Sequence, residues 1–308
     1  MRDPTLLLPF ALPPAQHAKD LIKSLNMPSL ACLLARATEL PKRRFEAFGA
    51  ALPHEILLYG SGGDNSPPLA HHWMQQRGIA PAAGIWFIVQ PVHLHIARDH
   101  LVLTDPRQLM IDEQTSHALF ESALPLFAEL GYELRFGDAR HWFVRVDEWQ
   151  ALRTTTPDAA TGHNVDVWLP SGEHAREWRK LHNEVQMLWH THPLNEAREA
   201  NGQPRINALW LWGGASPQQI PAKPETLMSD ESLISAALAD DWGRWLVAMQ
   251  DVERMHASPL LHQLRNKTID RVTLQLSDAT QVRQWRVSRL DLLKFWRKPS
   301  LNCLIRTA

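Results

Sequence analysis

Apolar residues recur along this chain in two rhythms. A period near 3.6 marks a helix; a period of two, or a short continuous apolar run, marks a strand. Leu6-Leu7-Leu8-Pro9-Phe10-Ala11-Leu12 predicts a first buried strand over 5–12. Helices are predicted over 14–25 and 28–38, the second opened by Pro28, whose fixed φ suits a first helical position. Further helices fall near 53–59 and 67–77. Between them Gly60-Ser61-Gly62-Gly63-Asp64 reads as a loop, and it lacks the Gly-Lys-Ser/Thr ending of a phosphate cradle.

Strand character then takes over. Gly84–Gln90 is a short apolar run, and His93–Ile96 with His100–Leu103 forms a hairpin around Arg98-Asp99. Apolar residues at helical spacing fill 113–130. A second hairpin, 132–136 with 141–146, is followed by a long helix over 173–191 that Pro193 ends. Ile206–Trp212 is a strand closed by Gly213-Gly214. The stretch from 215 to 230 has no period and reads as a linker. Helices near 231–239 and 257–266 flank a mixed segment, and Val272–Leu276 pairs with Val282–Val287. This alternation of helices and strands gives an α/β class.

Composition narrows the picture. A chain of 308 residues is long enough for two domains, and 44% hydrophobic residues suffice for a core. The net charge of −1 argues against nucleic-acid binding, which needs a concentrated basic footprint. No apolar run is as long as a membrane span, and the N-terminal run is too short and proline-broken for a signal peptide. Only Cys32 and Cys303 occur, which excludes a disulfide framework and points to the cytoplasm. The 13 tryptophans are expected mainly in the core, Trp86, Trp142, Trp210 and Trp212 among them.

Candidate chemistry is sparse. His71-His72, His93 with His95, and His190 with His192 are pairs without an evident third ligand, so no metal site is assigned. No Gly-x-Ser-x-Gly elbow or catalytic cysteine frame occurs. Asp240-Asp241 fits a helix cap better than an acid–base pair. The richest stretch is His192-Pro193-Leu194-Asn195-Glu196-Ala197-Arg198, followed by Trp210-Leu211-Trp212-Gly213-Gly214. Asn195 and Arg198 are three apart on one helix face, and such a pair suits an anion as well as a local helix network.

That stretch resembles the archaeal-type cofactor-independent phosphoglycerate mutases of the alkaline phosphatase superfamily. Their pattern there is His-Pro-Val-Asn-x-x-Arg, then Gly-x-x-Pro-Ala-Asn and Trp-Leu-Trp-Gly. Arg140-His141-Trp142-Phe143-Val144 is similar to the family's aromatic-Arg-His-apolar strand, and Thr156-Pro157-Asp158 with Gly162-His163 to its Asp-Pro-His loop. Asp105-Pro106-Arg107 is similar to the entry of the family's inserted domain. The likeness covers roughly 84–215. It implies an alkaline-phosphatase-like core, 1–103 plus 206–308, with an inserted α+β domain at 104–205.

The departures matter as much. The family's first strand ends in an Asp-Gly metal ligand; here it runs Leu8-Pro9-Phe10-Ala11. The family's C-terminal Asp-His is reduced to Asp278 in Ser277-Asp278-Ala279. No nucleophile context is found, so the resemblance implies a non-catalytic, cofactor-free protein close to the bacterial RpfE-type regulatory group, which shares Phe295-Trp296-Arg297. It implies a small phosphorylated or carboxylate ligand at Arg107, Arg140, His141, Asn195 and Arg198, or a protein partner. The alternative is an active metal-dependent mutase or phosphohydrolase with relocated ligands at His93, His95, Asp240 and Asp278.

Overall fold

The computed structural model describes residues 3–219 and 226–305. The chain forms two compact units, one from 1–47 with 223–308 and the other from 48–222. The boundaries expected at 103/104 and 205/206 both fall inside the second unit.

In chain order the first unit supplies β1 (Thr5–Leu8), α1 (Ala15–Ser24), α2 (Pro28–Arg36), β2 (Thr38–Glu39) and β3 (Arg43–Arg44). The second unit holds α3 (Pro53–Tyr59), α4 (Ala70–Gln76), β4 (Trp86–Val92), β5 (Leu94–Ala97), β6 (His100–Leu103), α5 (Glu113–Glu129), β7 (Glu133–Phe136) and β8 (Trp142–Arg145). It continues with α6 (Pro157–Ala160), α7 (Ala175–His190), α8 (Pro193–Ala200) and β9 (Ala208–Ala215). The first unit resumes with β10 (Leu227–Ser229), α9 (Ile234–Leu238), α10 (Trp242–Val252), α11 (Ser258–Arg265), β11 (Arg271–Ser277) and β12 (Gln281–Ser288). The mixed α/β class holds. No helix of the described residues is long and apolar enough to cross a membrane.

In the first unit β1 is sandwiched between parallel β10 and β11, and β12 continues the sheet antiparallel to β2 and β3. Leu6, Leu7 and Leu8 are fully buried, as a continuous apolar run requires when both faces of a strand are covered. The strand stops at Leu8 instead of residue 12. Pro9 has no N–H to donate, and Phe10 turns the chain at φ 57 while its carbonyl accepts from Trp245 Nε1 at 2.9 Å. The segment read as mixed is helical: α10 runs through a π turn at Glu253–Ala257 into α11. Glu253 there accepts from the Ser29 and Leu30 backbone N–H groups at 2.7 and 3.0 Å, which caps α2. Of the linker reading, residues 220–225 lie outside the described residues, and 227–229 are β10.

In the second unit an antiparallel sheet, β7-β8-β4-β9, is covered on both faces. Period-two alternation sorts its side chains. Phe87, Val89, Trp142, Val144, Leu209 and Leu211 pack with residues of α5 and α7; Trp86, Ile88, Phe143, Trp210 and Trp212 pack with residues of α4 and α6. Gly213 takes φ 67, and a Cβ there would sit 2.8 Å from Ile88 Cδ1. The four tryptophans expected in the core are all buried. Trp296 is exposed.

Candidate functional site

Two groups of polar side chains stand out in the second unit. The first is a cleft of about 470 Å³ whose lining includes Asp112, Thr115, Arg140, Leu194, Arg198 and Gln203. Local sequence builds its walls. Asp112 caps α5 by accepting from Thr115 N at 2.7 Å, and His192 Nδ1 accepts from Leu194 N at the start of α8. Arg198 is buried. Its Nε donates to Pro204 O at 2.9 Å and its Nη1 to Met110 O at 2.7 Å, while Nη2 has no hydrogen-bond partner among the described residues. Burial pulls this guanidinium below its ordinary value and Asp112 opposes the shift, but an arginine stays charged regardless. Arg140 is exposed on the same cleft.

The other three expected ligand residues have different surroundings. Asn195 is fully buried; its Nδ2 donates to Trp189 O at 3.0 Å and Ile206 O at 2.8 Å, and its Oδ1 accepts from Ile206 N. All its capacity in these bonds goes to backbone, so it clasps the end of α7 to the segment entering β9. His141 Nδ1 lies 2.9 Å from Asp138 Oδ1 and 3.0 Å from Arg77 Nη2, with its ring edge-on to Trp73. Burial pushes the imidazole below its ordinary value, although Asp138 favours its charged form. Burial alone would raise the Asp138 carboxyl, but hydrogen bonds from His141 and Arg77 hold it well below the usual carboxylate range. Arg107 belongs to the second group.

That group was not legible as a unit in the sequence. His54 and Glu55 open α3, Asp158 opens α6, and Arg107 follows Asp105 after β6. Arg107 forks onto Asp158, Nη1 to Oδ2 at 3.0 Å and Nη2 to Oδ1 at 2.8 Å, and its Nε lies 3.0 Å from Asp105 Oδ1. His54 Nε2 lies 3.4 Å from Asp158 Oδ2. Glu55 Oε2 accepts from Leu52 N at 2.8 Å and Thr156 Oγ1 at 2.7 Å. Burial, reinforced by Asp158, pushes the Glu55 carboxyl up to about 7. Burial would also raise Asp158, but His54 and Arg107 hold it down at about 2. The one available signal was a charged pair, His54-Glu55, inside the apolar run from Ala50 to Leu58.

The alternative ligand residues divide between the units. Asp240 and Asp278 share a cleft of about 380 Å³ in the first unit, with Phe10 and Trp242. Asp278 accepts from Thr280 N, Gln281 N and Gln281 Nε2, which clasps the turn between β11 and β12. His93 and His95 belong to the second unit, with ring centroids 6.3 Å apart and His93 Nδ1 2.8 Å from Arg205 O. Asp241 is a helix cap, accepting from Arg244 N at the start of α10.

No family model matches the chain. Among curated proteins, a 2,3-bisphosphoglycerate-independent phosphoglycerate mutase of Methanosarcina mazei is 28% identical over 121 residues, 36% of this chain. The match spans 30% of that protein's length. Among solved structures, a cofactor-independent phosphoglycerate mutase from Thermoplasma acidophilum aligns at 13% identity over 99% of this chain and 95% of its own, with a TM-score of 0.39. The PH0037 protein from Pyrococcus horikoshii aligns at 13% identity over 94% of this chain and 88% of its own, with a TM-score of 0.45.

Proposed function

We propose that this chain is a non-catalytic relative of the cofactor-independent phosphoglycerate mutases, of the RpfE-type regulatory kind. In this reading it binds a small phosphorylated or carboxylate anion in the cleft of Arg140 and Arg198. The observation that carries it is the Arg198 guanidinium. It is buried, fixed by two backbone carbonyls, and keeps Nη2 without a hydrogen-bond partner beside a second arginine. A planar fork held in place loses little freedom on accepting a carboxylate or phosphate. Asn195 then holds the backbone behind α8, and His141 and Arg107 stand outside the ligand set. The similarity to the Methanosarcina mutase supports the family. The strand end Leu8-Pro9-Phe10, without an acid, supports the loss of catalysis, because a two-metal mechanism needs both ions clamped.

Calorimetric titration with 3-phosphoglycerate, paired with a mutase assay in manganese and zinc, tests the reading. Binding without turnover is expected, with affinity lowered about tenfold or more in Arg140→Gln and Arg198→Ala. Unchanged affinity in both variants removes the site. Turnover with two ions per chain establishes the active enzyme instead.

A specific observation favours a protein partner as the second reading. Leu290, Leu293, Phe295 and Trp296 are 77%, 67%, 80% and 67% exposed. Arg36 Nη1 and Arg297 Nη1 tie this segment to α2 by bonds to Leu292 O and Ala37 O, so the apolar side chains are held outward. Exposed aromatic clusters of this kind mark interaction surfaces. A Phe295→Ser, Trp296→Ser double variant that keeps full regulatory activity in cells would remove this surface from consideration.

A further inference from the structure

The geometry points to a divalent-cation site formed by His54, Glu55 and Asp158, taking zinc or a similar first-row ion. One ligand atom from each residue can be chosen so that all three lie within 4.8 Å of one another. His54 Nε2 and Asp158 Oδ2 are already 3.4 Å apart, close to the ~3.3 Å edge expected between two ligands of tetrahedral zinc. An imidazole with two carboxylates is a donor set that zinc accepts, with a water completing four. Closing the ligands onto one ion takes a shift of at most about 1.5 Å at the widest pair.

Charge supplies the second argument. Three carboxylates, Glu55, Asp158 and Asp105, are gathered in largely buried positions, and among the described residues Arg107 is the guanidinium that pairs with two of them. Gathering three carboxylates about one guanidinium away from water is expensive, and a bound divalent cation lowers that cost.

The surroundings also fit a ligand shell. The Glu55 carboxylate is held in place by Leu52 N and Thr156 Oγ1, both of which donate to Oε2. Arg107 orients Asp158 from outside, as hydrogen-bonding partners of metal ligands do. The Asp158 and Arg107 side chains are 13% and 28% exposed, which gives the ion a way in on that side. The site is independent of the anion cleft, so the two proposals stand or fall separately.

The test uses the full chain, stripped with chelator and titrated with zinc, with metal content measured after desalting. One ion per chain and a raised Tm are expected. Cobalt substitution should give the visible absorption of a low-coordinate site, lost in His54→Gln. Glu55→Gln and His54→Gln should each weaken zinc binding about 100-fold. Absence of stoichiometric zinc and cobalt in the wild-type chain overturns the proposal whether or not the variants fold. So does wild-type affinity in both variants. One ion without mutase turnover supports the site and leaves the non-catalytic reading intact. Two ions with turnover would count against that reading alone.

Discussion

The two polar groups of the second unit solve opposite electrostatic problems. The cleft at α5 and α8 presents an arginine with a spare donor beside a second arginine, and Asp112 is the acid among its lining residues. The cluster at α3 and α6 gathers three carboxylates around one arginine in a largely buried place. The first has cationic capacity to spare and is open; the second has more acids than guanidinium groups and is largely buried. Substitutions should therefore separate them cleanly. Changes in the buried cluster should act on stability and on cation binding, and changes at the two cleft arginines should act on anion binding.

The largest effect is expected from Asp158→Ala, which removes the forked partner of Arg107 and leaves it with Asp105 alone. Breaking a buried pair from one side should cost about 3–5 kcal/mol in urea unfolding. A loss under about 1 kcal/mol would show that water reaches Arg107 freely and that the cluster is not closed.

His182 gives an internal standard for burial in the same unit. Desolvation on α7 pushes its imidazole down to about 4, and Nε2 has no hydrogen-bond partner among the described residues. Its folded pKa lies below the unfolded value near 6.5, so the unfolded chain binds the extra proton between those values. Stability should fall as pH drops from about 6.5 to about 4, by about 3 kcal/mol in all. His182→Leu should flatten that limb of the stability–pH curve.

Behind the open cleft, Asn195→Ala should cost about 2–3 kcal/mol, since it leaves the Trp189 and Ile206 backbone groups buried without their partner. A shift in ligand affinity with unchanged Tm would instead return Asn195 to the ligand set. The smallest stability effect belongs to Arg140→Gln, within about 0.5 kcal/mol, because the side chain is exposed. Its consequence should appear in anion titrations, and more strongly at low salt.

Much of the fold was legible in the sequence, for local reasons. The hairpin around Arg98-Asp99, the helix over 113–129 and the strand ending at Gly213-Gly214 follow from periodicity and turn residues. The helix α10 was legible in retrospect, since Trp242, Trp245, Met249 and Val252 keep helical spacing; the run through a π turn hid its continuation. Unit boundaries depend on pairings that no window of sequence contains. The site divides the same way. Arg140 and Arg198 were legible singly, one in a hairpin turn and one on a helix, but their sharing of a cleft, like the meeting of His54, Glu55, Asp158 and Arg107, depends on tertiary contacts. Asn195 shows the limit of face arguments: three residues before Arg198 on one helix, it serves backbone instead of the cleft.

The position of β1 sets a timetable for making this protein. Both of its sheet neighbours, β10 and β11, and the Glu253 that caps α2 come from the far end of the chain. At ribosomal speeds of about 5–20 residues per second, the three leucines of β1 wait roughly ten to forty seconds for their first strand partner. The second unit can complete its own sheet during that interval. A leucine-rich strand left without its sheet is a target for holdase chaperones, and that waiting period is when such help would matter most.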